Sequence, residues 1–296
     1  MSGSAPEITG KTRIAGVMGW PVVQNLSPFM HNAAFAALGL DWVYLCFPVQ
    51  PEHLGEALRG LPALGVAGVN LSLPHKVAAT RYMDELSEKA SLVGSVNTVV
   101  VRENGTLYGH NTDGEGFLKG LAQELGLTPA GLKVALVGAG GVARSIAASL
   151  SLAGAAEVVV FDQDGARASD VAELAGRANA GCRGRQVEAD GLPGIVAGAD
   201  LVVNATPVGM WPNVDAAPAV DPAWLRPGQI LYDVIHNPPE SRLVGLARAR
   251  GLKALGGLPM LVHQGALAFA AWTGVEPPRE VMTEALRAEL ARRTGA

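Results

Sequence analysis

The 296-residue chain is predicted to be an α/β protein of two domains, and three observations carry this reading. Short apolar, β-branched runs alternate with segments of helical period from end to end, the pattern of strands covered by helices. The length is about twice the ~150 residues of an ordinary domain. The composition, 49% hydrophobic and 17% charged with 37 glycines, supplies apolar material for sizeable cores and many points where backbone turns tightly or approaches another group.

Residues 13–18 form the first expected strand. Ser27-Pro28 opens a helix, with Ser27 as cap and proline in the first turn, where its missing N–H costs nothing. Met30, Ala33, Ala34, Ala37 and Leu38 give that helix an apolar stripe, and Gly39 ends it. Residues 42–47 read as a strand, 51–59 as a helix, and 67–71 as a strand running into Ser72-Leu73-Pro74-His75-Lys76. Segments 95–102 and 106–110 flank Asn104-Gly105, the pair favoured in a two-residue hairpin turn. A long helix begins at Gly114. The alternation then restarts at 132–137, an apolar strand of the buried parallel type. Further strands are expected at 157–161, 200–204 and 230–234 with helices between them, and helices at 259–272 and 278–292 close the chain.

Composition also removes several classes of function. With 23 Lys and Arg against 27 Asp and Glu the formal charge is −4, so there is no electrostatic footprint for nucleic acid or anionic lipid. Cys46 and Cys182 form no Cys-x-x-Cys pair and show no metal-ligand spacing with the six histidines, which reads as two reduced thiols in a cytoplasmic protein without a metal site. The start, MSGSAPEITGK, has no apolar core and reads as a frayed tail rather than a signal peptide. Stretches 17–40 and 256–275 carry no Asp, Glu, Lys or Arg and are long enough to span a membrane. Gln24, Asn25, Ser27, His31 and Asn32 in the first, with His263 and Gln264 in the second, argue otherwise, because such polar groups are costly in lipid unless they line a site. Both stretches are therefore expected to be interior segments near an active cleft.

Gly138-Ala139-Gly140-Gly141-Val142 lies between a strand and a helix, and Ala143 completes the relaxed G-x-G-x-x-A form. Glycines there let backbone approach a pyrophosphate whose charge is met by the helix N terminus; a tight turn with no ligand is the alternative. Asp162, at the end of the next strand, stands about where an acid accepts hydrogen bonds from the ribose of NAD. A 2′-phosphate would face Asp162 and Asp164 with only Arg167 nearby, so the local charge favours NAD over NADP. Taken alone, Lys76 reads as a solvated lysine and Asp113 as a helix cap. Their setting changes this, because Asn70, Ser72, Asn97, Asn111 and Thr112 all sit at strand ends in apolar sequence, where open α/β sheets bind ligands.

The set Gly19-Trp20-Pro21, Leu26-Ser27-Pro28-Phe29-Met30-His31-Asn32, Asn70-Leu71-Ser72-Leu73-Pro74-His75-Lys76, Ser95-Val96-Asn97-Thr98, Gly109-His110-Asn111-Thr112-Asp113-Gly114, Gly138-Ala139-Gly140-Gly141, Asn204-Ala205-Thr206-Pro207 and Gly257-Leu258-Pro259-Met260 with His263-Gln264-Gly265 resembles the shikimate dehydrogenase family, in family order from about residue 14 to 272. The resemblance implies a mixed α/β substrate domain, 1–113 plus 257–296, with an inserted Rossmann-like dinucleotide-binding domain, 114–256. It implies reversible NAD(P)-dependent hydride transfer between 3-dehydroshikimate and shikimate, a step of chorismate and aromatic amino-acid biosynthesis. Lys76 and Asp113 match the family's catalytic pair. An alkoxide formed from a ketone needs a proton from a positioned acid, and a carboxylate neighbour favours the ammonium form that donates it. Ser72, Asn97 and Gln264 match positions that hydrogen-bond ring hydroxyls, and Thr206, Val234 and Gly257 lie where the family lines the nicotinamide.

Three positions depart from the family pattern. Asn25-Leu26-Ser27-Pro28 replaces Ser-x-Ser-Pro, so an amide stands for one of two carboxylate-binding hydroxyls; His236 replaces a tyrosine three residues after Asp233; and Asp162-Gln163-Asp164 replaces the Asn-Arg-Ser/Thr typical of NADP users. Asn25 and His236 can both hold a carboxylate. The expected partner is thus a small polyhydroxy carboxylate, shikimate or quinate, with NAD or NADP as cofactor; a homodimer is allowed. The rival readings are a catabolic NAD-dependent quinate/shikimate dehydrogenase, a tetrahydrofolate-linked dehydrogenase of similar layout, and a non-catalytic dinucleotide or ligand sensor.

Overall fold

Two six-stranded sheets organise residues 8–294, which the computed structural model describes. Of the expected tail at 1–11, residues 1–7 lie outside the described residues. The chain divides into two compact units, one running to Thr112 and resuming at Gln264, the other spanning Asp113–His263.

The first unit contains β1 (Arg13–Gly19), α1 (Ser27–Ala37), β2 (Trp42–Pro48), α2 (Leu54–Gly60), β3 (Val66–Leu71), α3 (His75–Ala78), β4 (Glu85–Leu86), α4 (Glu88–Val93), β5 (Thr98–Val101) and β6 (Leu107–His110). Its sheet runs β2-β1-β3-β5-β6-β4. β2, β1 and β3 are parallel, β5 is antiparallel to β3 and to β6, and β4 is parallel to β6. Leu54, Leu58 and Leu61 of the α2 region pack with Val69, Leu71 and Val99 in its core.

Several local expectations are corrected by the structure. The buried face of α1 is Ser27, Met30, His31, Ala34 and Phe35, whereas Leu38 is exposed, so the helix is rotated from the expected stripe and buries a histidine. Trp20 and Val23 are likewise exposed, so stretch 17–40 is not interior throughout. The turn between β5 and β6 has three loop residues. Gly105 donates to Arg102 O and has φ +83°, while no non-glycine residue, Asn104 included, has positive φ among the described residues. A two-residue type I′ turn needs positive φ at both positions. Asn104 instead accepts hydrogen bonds from the N–H and hydroxyl of Thr106.

The second unit begins with α5 (Asp113–Leu125) and continues through β7 (Lys133–Val137), α6 (Gly141–Leu152), β8 (Glu157–Phe161), α7 (Gly165–Ala178), β9 (Arg183–Gln186), α8 (Leu192–Gly198), β10 (Leu201–Asn204), β11 (Ile230–Asp233), α9 (Arg242–Ala249) and β12 (Lys253–Leu255). α10 (Leu258–Thr273) carries the chain from this unit into the first, where α11 (Arg279–Thr294) ends it. The sheet runs β12-β11-β10-β7-β8-β9 and all its pairings are parallel. Counted within the unit, that is the 3-2-1-4-5-6 order of a doubly wound dinucleotide-binding sheet, whose switch point falls between β7 and β10. Side-chain alternation builds both layers: Val134 and Leu136 pack with Phe117, Ile146 and Val171, while Ala135 and Val137 pack with Val196, Leu231 and Val244. No helix among the described residues is long and apolar enough to cross a membrane.

Candidate active site

In the first unit the polar groups expected to meet substrate are tied to one another. Asn25, half-buried before α1, accepts the Ser27 N–H on Oδ1 at 2.8 Å. Ser27 is the cap expected from sequence, but the structure gives its backbone N–H to Asn25, and no side chain caps α1. Ser72 follows β3; its N–H donates to Met18 O at 2.8 Å and its carbonyl accepts from His75 at 2.9 Å, which sets the turn into α3. Lys76 lies in that short helix, half-buried, with its carbonyl accepting the Val96 N–H at 2.8 Å. The lysine backbone is thereby tied to the segment that carries Asn97.

Asn97 is buried. Its Oδ1 accepts the Thr112 N–H at 2.8 Å, and its Nδ2 donates to Thr112 Oγ1 at 2.8 Å and to Gln264 Oε1 at 3.2 Å. Thr112 Oγ1 in turn donates to the Gln264 carbonyl at 3.1 Å. Two residues 167 positions apart in sequence are thus joined directly. Asp113, the next residue, is only 3% exposed and opens α5. Sequence reasoning missed Tyr44, which reads as an ordinary core aromatic in a strand, and Thr98, and noted Asn70 only for its polarity.

In the second unit the candidate cofactor residues cluster at the switch point. Gly138 has φ +106°, and a Cβ there would stand 2.9 Å from the Ala205 carbonyl, so the chain's own packing requires glycine. Gly140 differs: its backbone is extended and nothing lies within 4 Å of the place a Cβ would take. The 12-residue helix α6 starting at Gly141 and Val142 has no side-chain cap and no acidic residue in its first turn, which leaves the positive end of its dipole facing open space beside Gly140. Asp162 holds this loop, with Oδ2 accepting the Ala139 N–H at 2.7 Å and Oδ1 the Asp164 N–H at 2.9 Å. Asp164 caps α7 through the N–H groups of Ala166 and Arg167, and the Arg167 guanidinium pairs with it at 3.0 Å.

Across the switch point, Thr206 donates from its hydroxyl to Asn204 Oδ1 at 2.8 Å, and Asn204 donates to Asp233 Oδ1 at 2.9 Å. Asp233 also accepts from Ile235 N–H and the Ser241 hydroxyl. Burial pushes its carboxyl up to about 6 against the pull of those hydrogen bonds. Val234 and His236 follow, both half-buried. A Cβ at Gly257 would overlap the Val234 carbonyl, so this glycine too serves a close backbone approach within the unit. Among the described residues no group of three or more His, Cys, Asp or Glu is placed to hold a metal ion, and Cys46 and Cys182 are both free.

The open helix N terminus beside Gly140 fits the pyrophosphate of a dinucleotide, and Asp162 keeps lone pairs for ribose hydroxyls. The fold and these residues define a dinucleotide-dependent oxidoreductase. A model of the shikimate dehydrogenase substrate binding domain matches residues 17–99, and one of the shikimate 5'-dehydrogenase C-terminal domain matches 257–287. The chain is 44% identical to the shikimate dehydrogenase (NADP(+)) of Moorella thermoacetica, over 98% of this chain and 97% of that protein. It is 47% identical to that of Citrifermentans bemidjiense, over 96% and 97%. Among solved structures, a shikimate dehydrogenase in complex with NADP+ superposes with a TM-score of 0.88 at 36% identity, covering 97% of this chain and 98% of that one. The Listeria monocytogenes shikimate 5-dehydrogenase with shikimate and NAD gives 0.85 at 38%, covering 95% and 98%, and the Corynebacterium glutamicum quinate dehydrogenase with NAD gives 0.85 at 34%, covering 94% and 99%. The chain belongs to the shikimate dehydrogenase family.

Proposed function

We propose that this enzyme interconverts shikimate and 3-dehydroshikimate, with Lys76 as the proton donor and acceptor and Asp113 as its carboxylate partner and a holder of the reacting hydroxyl. The observation that carries the reading is the uncharged cluster of buried Asn97 and Thr112 with half-buried Gln264, whose Thr112 lies one residue before Asp113. Amides and hydroxyls held in fixed orientation suit a ring bearing several hydroxyls, and a substrate lacking one would leave a buried polar group unpaired. Bound nicotinamide supplies or accepts the hydride. Reduction of the ketone leaves an alkoxide, which takes its proton from the Lys76 ammonium; in oxidation the proton returns to Lys76. Ser72 adds a hydroxyl at the end of β3. Asn25 and Ser27 are assigned to the substrate carboxylate, with the Asn25 side chain donating from Nδ2 because Oδ1 is committed to the Ser27 N–H; the family pattern assigns His236 to the same group.

For the cofactor, the pyrophosphate is assigned to Gly138 through Val142, the adenosine ribose to Asp162, and the nicotinamide side to Thr206, Val234 and Gly257. The relatives are named for NADP(+), and two of the neighbouring structures hold NAD. NAD is the favoured nucleotide for this chain, because a 2′-phosphate would meet Asp162 and Asp164 while Arg167 is paired with Asp164. Quinate is the second reading for the acid, favoured by the Asn25 amide in place of a hydroxyl. The test is a steady-state comparison of shikimate and quinate against NAD and NADP. Turnover is expected with shikimate and with both nucleotides, NAD preferred. Thermal stabilisation by these ligands with no hydride transfer would instead mark a sensor.

A further inference from the structure

Tyr44 lies at one end of a chain of hydrogen bonds in which obligate donors and acceptors orient the amides of Asn70 and Asn97. The Asn97 carbonyl can only accept, so Asn70 must point Nδ2 at it, 3.1 Å away, and at Thr98 Oγ1, also 3.1 Å away. Asn70 Oδ1 therefore faces Tyr44 and accepts the phenol proton at 2.7 Å. At the other end the Thr112 N–H can only donate, which fixes Asn97 Oδ1 as acceptor, also for the Thr98 hydroxyl at 3.0 Å. That leaves Asn97 Nδ2 to donate to Gln264 Oε1 and holds the Gln264 amide in one orientation.

Tyr44 is itself immobilised. Asn32 of α1 donates to its backbone carbonyl at 3.0 Å and accepts its backbone N–H at 2.8 Å. The ring stacks on His31 with centroids 4.3 Å apart and an interplanar angle of 15°, and leans on Trp272 at 5.9 Å. Burial drives His31 down to about 3, so the ring against the phenol is uncharged. A phenylalanine would fill this space equally well; the buried hydroxyl is explained only by the bonds it makes.

We propose that Tyr44 is a positioning residue, whose phenol, through Asn70 and Thr98, orients the Asn97 amide that faces Gln264. The proposal rests on the assignment of Asn97 and Gln264 to substrate. Tyr44→Phe removes one oxygen and keeps the ring. The expected result is a shikimate KM about tenfold higher, with kcat and the dinucleotide KM within about twofold of wild type, as for loss of one buried hydrogen-bond link. Thr98→Val, which cuts the chain at a second point, is expected to raise the same KM. In a Thr98→Val background the Tyr44→Phe change should add less than about twofold, the non-additivity of residues acting through one another. Unchanged KM in both Tyr44→Phe and Thr98→Val, or fully additive effects of the two, would overturn the proposal. Wild-type turnover is measured first. If the wild type oxidises no shikimate with either nucleotide, the proposed reaction falls, and calorimetric binding of shikimate and quinate decides Tyr44: weaker binding by Tyr44→Phe supports it, while equal binding or none by either protein sinks it.

Discussion

Residues 8–112 with 264–294 and residues 113–263 both present polar groups at strand ends, but they do so by different means. In the first set, buried side chains bond to one another: Asn70, Asn97, Thr98 and Thr112 are each 5% exposed or less and form a continuous chain. In the second, the proposed recognition falls to backbone, at a glycine turn and an uncapped helix N terminus, and the side chains nearby, Asp162 and Asn204, brace loops. A side-chain network reads the number and placement of hydroxyls, while a backbone loop reads charge and leaves the rest of the ligand to a few residues such as Asp162. Substrate choice and nucleotide choice are therefore expected to be separable by mutation.

The comparison can be tested in order of effect. Lys76→Met is expected to lower kcat by about 10²–10⁴-fold, the usual span for a general acid–base group, with little change in melting temperature; kcat within threefold of wild type, on the order of 0.6 kcal/mol, would remove Lys76 from the proton transfer. Gly138→Ala should destabilise the protein by about 2–3 kcal/mol in thermal or urea unfolding, because its backbone lies at φ +106° against Ala205. Gly140→Ala, with open space around it, should leave stability within about 0.5 kcal/mol and weaken dinucleotide binding. Equal destabilisation by the two would erase the distinction between a glycine kept for the fold and one kept for the ligand.

Asp233 supplies a pH test. Its carboxyl ionises near 6 in the fold and near 3.8 when unfolded, so the folded state binds the extra proton between those values. Stability should fall as pH rises from about 4 to 6 and level off above, by on the order of 2–3 kcal/mol. Asp233→Asn, which can still accept from Asn204 and Ile235 and donate to Ser241, should flatten that slope in melting curves taken across the range. An unchanged slope would place the titration elsewhere. The smallest expected effect is Asp162→Ala, which should narrow the NAD preference by about tenfold or less, roughly 1.4 kcal/mol. A wild-type preference for NADP would overturn the reading of the acidic turn.

Much of this is legible in residue order. The strand at 157–161 and the glycine turn after β7 emerge from apolar runs and local spacing, since both depend on neighbours a few residues apart. β9 escapes such reading because Arg183–Gln186 is largely exposed and polar, an edge strand with no apolar signal. The Asn104 turn misleads because its hydrogen bonds to Thr106 favour a three-residue loop over the two-residue form its dipeptide suggests. Asn25 stands out in sequence as a departure from a pattern, but not as the acceptor of the Ser27 N–H.

By itself, the sequence determined the α/β class, the place of the glycine turn after β7, and the chemical identities of the polar groups at the strand ends, because these rest on periodicity and on side-chain type. Only the tertiary structure decided which of those groups bond to which. Asn70 meets Tyr44 across 26 positions and Asn97 meets Gln264 across 167, and no local rule encodes such pairings. Once the groups are buried together, the demand that every donor and acceptor be satisfied selects a single arrangement of protons, and that arrangement is what orients the site.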